Sequence, residues 1–122
     1  MKNKHQVTIL KISNDKPILF IPILGRSLKS TKAGLFLSQL LFWYGKGKNK
    51  RWIYKTIEEM EKETTLSRKE QDTAITICKK YGLIETKLKG IPAKRNFYIN
   101  FEAIKKFVEE YVFSLEENDK QD

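Results

Sequence analysis

The chain contains one cysteine and one histidine in 122 residues. A lone Cys78 can neither close an intramolecular disulfide nor build a thiolate zinc site, so it is expected to be a small buried hydrophobe in a reducing compartment. His5 falls in an N-terminal segment expected to be loose, where a solvated imidazole is the expectation rather than a catalytic one. No stretch reaches the roughly 18 uncharged apolar residues of a membrane-spanning helix. Ile18 to Leu24 is too short and too internal for a signal peptide. A cytoplasmic protein is therefore expected. Internal repeats and low-complexity runs are missing, and so is catalytic equipment. Gly45-Lys46-Gly47-Lys48 lacks the spacing of a phosphate-binding loop. Glu58, Glu59, Glu61 and Glu63 fit a solvated acidic helix face better than a pair of acid–base catalysts. Neither an enzyme nor a cofactor or metal is expected.

What the chain has is positive charge. It carries 24 Lys and Arg against 15 Asp and Glu, a net +9, which favours an anionic partner such as nucleic acid. Arg26 to Arg95 holds 17 basic and 7 acidic residues, a net of +10, whereas Asn96 to Asp122 holds 3 and 7, a net of −4. The basic charge belongs to the middle of the chain. At this length one domain should bury roughly two-thirds of its unfolded surface.

Val7 to Ile12 and Ile18 to Ile23 are β-branched runs flanking the turn-forming cluster Ser13 to Pro17, and read as an N-terminal β-hairpin. Pro22 and Gly25 should break its second strand before a polar linker through Arg26, Ser27, Lys29 and Ser30. Ser30 or Thr31 can cap a helix carrying Leu35, Phe36, Leu37, Leu40, Leu41, Phe42 and Trp43, apolar over more than half its circumference and so the centre of the core. A basic loop, 45–51, follows, and then a short strand, Trp52-Ile53-Tyr54.

The next segment has the sharpest local grammar. Thr56 with Glu59, and Ser67 with Glu70, each have the spacing of a capping box, in which a hydroxyl and a Glu three residues on satisfy each other's backbone amides. The two helices are separated only by Thr64-Thr65-Leu66, with apolar Leu66 as a plug, so they must cross steeply as in a helix-turn-helix. The second runs 67–81 and ends at Gly82, a left-handed terminator. It puts Ala74, Ile77, Cys78 and Tyr81 on one face and Arg68, Lys69, Asp72, Thr76, Lys79 and Lys80 on the other. Leu83 to Leu88 reads as a strand and Lys89 to Arg95 as a basic turn. Asn96 to Phe101 is the returning strand, with Phe97, Ile99 and Phe101 inward. This hairpin, 83–101, has the position of a wing. From the cap Asn100, a last helix repeats Phe101, Ile104, Val108, Tyr111 and Leu115 at spacings of three and four. The expected architecture is α+β: a winged helix-turn-helix with an N-terminal β-hairpin and an additional C-terminal helix. Residues 1–115 would form one domain and 116–122 a frayed acidic tail.

A helix of this chemistry suits double-stranded DNA, whose major groove admits one helix. Ser67, Arg68 and Lys69 lie at its start, where Arg can pair with guanine in bidentate fashion. Asp72, Thr73 and Thr76 follow, with Lys79 and Lys80 at the far end. Lys87, Lys89, Lys94 and Arg95 give the wing cations for phosphates, and Lys48, Lys50 and Arg51 supply a third group in the loop. A homodimer through the N-terminal hairpin or the C-terminal helix would match symmetric half-sites. No membrane partner is expected, because the fold uses the apolar faces that an amphipathic anchor would need.

Leu35 to Trp43, Trp52 to Thr56, Leu66 to Gln71 and Gly82-Leu83-Ile84-Glu85 together resemble winged-helix domains of phage and plasmid replication proteins, in particular the N-terminal domain of DnaD-like replisome organisers. The resemblance spans about Pro17 to Tyr111. It implies DNA binding in replication initiation or its control, with 67–81 as recognition helix and 83–101 as wing. Replisome organisers usually continue into a second domain, whereas one helix follows the wing here, which leaves a stand-alone transcriptional regulator or a fragment-like accessory protein as alternatives. A winged helix used only for protein docking is another, because fold does not fix function.

Overall fold

Helices and one small sheet share the apolar residues of the chain. The computed structural model describes residues 4–48 and 50–121, so Asn49 of the expected basic loop and Asp122 of the expected tail lie outside it. The elements run α1 (Lys4–Ser13), α2 (Pro22–Leu28), α3 (Thr31–Trp43), β1 (Trp52–Tyr54), α4 (Ile57–Thr64), α5 (Arg68–Lys80), β2 (Ile84–Lys89), β3 (Lys94–Ile99) and α6 (Phe101–Gln121). This is an α+β fold with six helices and a three-stranded antiparallel sheet of order β1-β3-β2 among the described residues. None of these helices is long and apolar enough to cross a membrane.

The expected N-terminal hairpin is not there. Residues Val7 to Ile12 lie in α1, and Ile18 to Ile23 is split between an irregular segment and the start of α2. Two local features account for the difference. Asn14 takes a left-handed conformation (φ 58°) and its amide donates to the Leu10 carbonyl at 2.9 Å, so it ends a helix instead of turning a hairpin. Pro22 stands in the first turn of α2, where its fixed φ favours a helix and its missing N–H costs nothing. The residues read as a linker, Arg26 and Ser27, accordingly belong to α2, which ends at left-handed Lys29. The Ile21 amide donates to Ser38 Oγ at 3.0 Å, pinning the approach to α2 onto α3.

Ser30 caps α3 by accepting from the Ala33 amide at 3.1 Å. Phe36, Leu37 and Leu40 of α3 are fully buried beside Met60, Ala74, Cys78, Leu83 and Phe97, so α3 is the centre of the core. The rings of Phe36 and Phe97 meet edge to face at 5.5 Å, joining helix to sheet. Gly34 lets α2 approach: a Cβ there would lie 2.5 Å from Gly25 Cα.

Both capping boxes form, at Thr56–Glu59 and Ser67–Glu70. Thr65 (φ 69°) turns the chain between α4 and α5, and Leu66 is buried as the plug between them. Gly82 (φ 70°) closes α5, with the Leu83 amide donating to the Cys78 carbonyl at 3.0 Å. The Asn100 side chain caps α6 by accepting from the Ala103 amide at 3.0 Å. Phe101 lies in α6, not in the returning strand, and is exposed; its ring stacks edge-on against Tyr44 at 4.7 Å. Ile104 is buried and Phe107 and Val108 pack on the core, while Val112, Phe113 and Leu115 remain exposed.

Candidate nucleic-acid interface

Gln71 organises the junction of α4, α5 and the sheet. It occupies a position on the apolar face of α5 and is fully buried. Its Nε2 donates to the Ile57 carbonyl at 3.0 Å and the Leu66 carbonyl at 2.9 Å, tying α5 to the start of α4 and to the turn. Its Oε1 accepts from Arg95 Nη2 at 2.8 Å, and Arg95 Nε donates to the Lys55 carbonyl at 3.2 Å. One amide thus fixes the angle between the two helices and latches the β2–β3 hairpin to both.

Arg95, expected as a flexible wing cation, is therefore held in place by protein partners. The β3 strand begins at Lys94, so Lys94 and Arg95 belong to it and the turn is confined to Gly90–Ala93. Alternation sends Arg95 to the helix side with Phe97, whose ring lies 5.3 Å from its guanidinium. Burial pushes the Arg95 pKa down and the nearby Arg68 adds to that, against the pull of Asp72 and Glu58. Its partners on Gln71 and Lys55 make it a structural cation.

A second polar hub braces the site from behind. Glu63 accepts from Lys55 Nζ, from Gln39 Nε2 at 2.6 Å and from Trp43 Nε1 at 2.8 Å. Burial raises its pKa, but the bonds from Lys55, Gln39 and Trp43 outweigh that and hold it below the usual carboxylate range. Lys55 is buried, with its ammonium 3.8 Å from the Trp43 ring centroid. Glu63 is thus no part of a solvated acidic face. It ties α3, α4 and the end of β1 together, and only a glutamate meeting that Lys and Trp could have betrayed it in the sequence.

On this frame α5 turns one side to the core and the other to solvent. Ala74 and Cys78 are buried, and burial pushes the Cys78 thiol up to about 12, which makes it unreactive. Tyr81, expected on that face, is exposed instead and rests against Phe107 at 4.7 Å. Arg68, Lys69, Asp72, Thr73, Thr76, Lys79 and Lys80 are all exposed. Thr73 and Thr76 donate their hydroxyl protons back to the carbonyls of Lys69 and Asp72, at 3.1 and 2.9 Å, leaving their oxygens as acceptors. Ser67 is spent on the cap. Glu70, the acid of the first turn, is paired with Lys32 at 2.7 Å, which with the Ser67 bonds holds its pKa at about 2.

The hairpin cations sit differently. Lys87, Lys89 and Lys94 are exposed on the outer face of the sheet, opposite the side that packs on α3 and α5. Lys87 Nζ lies 4.4 Å from the Trp52 ring centroid and Lys94 Nζ 5.2 Å from that of Tyr54. Lys48, Lys50 and Arg51 are exposed beside β1, and Lys50 Nζ donates to the Gly45 carbonyl at 2.9 Å. The fold thus groups the expected site residues into two sets, one along α5 and one on the outer sheet face and its adjoining loop. Among the described residues, no group of three or more His, Cys, Asp or Glu side chains is placed to hold a metal ion. No protein-family model, curated protein or solved structure matches the chain.

Proposed function

We propose that the protein is a winged helix-turn-helix that binds double-stranded DNA, with α5 as the recognition helix in the major groove and the β2–β3 hairpin as the wing. The observation that carries this reading is the solvent side of α5: Arg68, Lys69, Lys79 and Lys80 with two exposed threonines, against Asp72 alone. Guanine accepts from an Arg fork, thymine offers a methyl to a Thr, and phosphates take the flanking lysines. Gln71 supports the same reading by fixing the presentation of α5, since base contacts need a rigid helix. The sequence resemblance directs the proposal to replication initiation or its control, in the cytoplasm, with transcriptional regulation as the alternative use of the same contacts.

Self-association through α6 belongs to the proposal, because Val112 and Leu115, 40% and 44% exposed, continue the stripe of Val108 at spacings of four and three beyond the core. A dimer would present two copies of α5 to symmetric half-sites. Leu115→Glu is expected to lower the mass measured by light scattering to that of a monomer, with folding unaffected at an exposed position.

The test of duplex binding is fluorescence anisotropy with a random-sequence duplex over a salt series, comparing the wild type with the double variant Arg68→Ala, Lys69→Ala. The wild type should weaken steeply with salt. The variant should bind less tightly, with a salt slope reduced by about 2 if both cations meet phosphates. Absence of binding at low salt, or a variant equal to the wild type, would refute the assignment of α5.

A further inference from the structure

The outer face of the sheet carries the lysines of the wing and, beside them, aromatic rings that duplex recognition does not use. Register puts Trp52 opposite Tyr98, Tyr54 opposite Asn96 and Lys89 opposite Lys94. The Trp52 and Tyr98 rings lie 5.6 Å apart, and lysines are interleaved over Trp52 and Tyr54. Toward the loop after α3 this face deepens into a groove of about 560 Å³ lined by Trp43, Trp52, Tyr54, Lys48, Lys89 and Lys94.

We propose that this groove and the adjoining sheet face bind single-stranded nucleic acid, with a base stacked on Trp52 or Tyr54 and neighbouring phosphates on Lys48, Lys89 and Lys94. The rings of a strand offer Trp52 and Tyr54 a flat π-face of any sequence, and the interleaved lysines meet the charge that accompanies each base. The volume falls within the range that holds a small organic ligand. One carboxylate, Glu59, also lines the groove, but its Oε1 accepts from the Thr56 amide at 3.2 Å and its Oε2 lies 3.8 Å from Lys55 Nζ, so it is committed to the α4 cap and to a cation. Glu85 stands at the far end of the face, opposite Tyr98. A duplex keeps its bases stacked inside and cannot lay one on these rings, whereas a single strand can. A free nucleotide shares the chemistry of one such unit but lacks the successive phosphates that the spread of lysines would follow. The proposal stands apart from duplex binding by α5.

Both tryptophans of the chain, Trp43 and Trp52, line the groove, so intrinsic fluorescence reports on it directly. An oligothymidylate of about a dozen nucleotides, titrated at low salt, is expected to quench that fluorescence saturably. The exposed-site variants Tyr54→Ala and Lys94→Ala, each checked for wild-type circular dichroism, should together weaken binding about tenfold or more. The Arg68→Ala, Lys69→Ala variant, which tests the duplex surface, should quench as the wild type does. The proposal is overturned by an absence of quenching, by loss confined to the α5 variant, or by thymidine monophosphate binding as tightly as the oligomer, which would mark a free-nucleotide site. Failure of duplex binding with quenching intact would leave it standing.

Discussion

Arg95 and Lys94 are neighbours in the chain and opposites in the fold. Arg95 places one nitrogen on Gln71 and another on the Lys55 carbonyl, whereas Lys94 is exposed over Tyr54. Arg95→Ala would strand Gln71 Oε1 in the core and is expected to cost about 2 kcal/mol. Lys94→Ala should stay within about 0.5 kcal/mol. Urea denaturation of the two variants checks both values, and a Lys94→Ala loss as large as that of Arg95→Ala would contradict the assignment. Nothing in the residue types separates this pair, because the difference depends on β3 starting at Lys94 and so fixing which side chain faces in. Glu63 teaches the same lesson on α4. Its neighbours Glu58, Glu59 and Glu61 are exposed, while contacts from α3 and the end of β1 make Glu63 a hub.

At the scale of elements, the segments governed by contacts within a few residues were legible. The two capping boxes, the Asn100 cap and the Gly82 terminator are reactions of a side chain or a φ angle with its own local backbone. The N-terminal hairpin was not, because β-branched composition favours a strand only if a sheet edge exists to receive it, and Pro22 and Asn14 act on helix ends instead. Packing between elements gives a sharp test at Gly34. In an ordinary helix Gly→Ala gains up to about 1 kcal/mol. Here the new Cβ would stand 2.5 Å from the Gly25 backbone, and backbone cannot swing aside as a side chain can. Gly34→Ala is therefore expected to lose about 2 kcal/mol net through the forced separation of α2 and α3. A lower thermal midpoint would agree, and an unchanged or higher one would show that the two helices part easily.

The whole molecule should be sensitive to acid. Glu70 falls from an ordinary 4.5 to about 2 in the fold through Lys32 and the Ser67 cap, and Glu63 is lowered as well. A carboxylate with a depressed folded pKa contributes stability that is complete above its unfolded value and is lost as pH falls through the folded one. Stability should therefore decline from about pH 4.5 toward pH 2, the more so because protonation adds to a net charge already +9 at pH 7. Glu70→Gln should be less stable than wild type at pH 7 and lose less on acidification; parallel urea midpoints in the two proteins would contradict this. The concentration of charge between Arg26 and Arg95, the apolar helix around Phe36, the two capped helices and the basic hairpin could be read from the order of residues, because net charge, helical periodicity and capping act within one segment. That Gln71 and Arg95 lock α4, α5 and the sheet together, and that the hairpin lysines share a face with Trp52 and Tyr54 rather than with α5, emerged from the folded arrangement alone. Those outcomes depend on strand register and on which helix covers which side of the sheet, and both are settled by contacts between residues far apart in the chain.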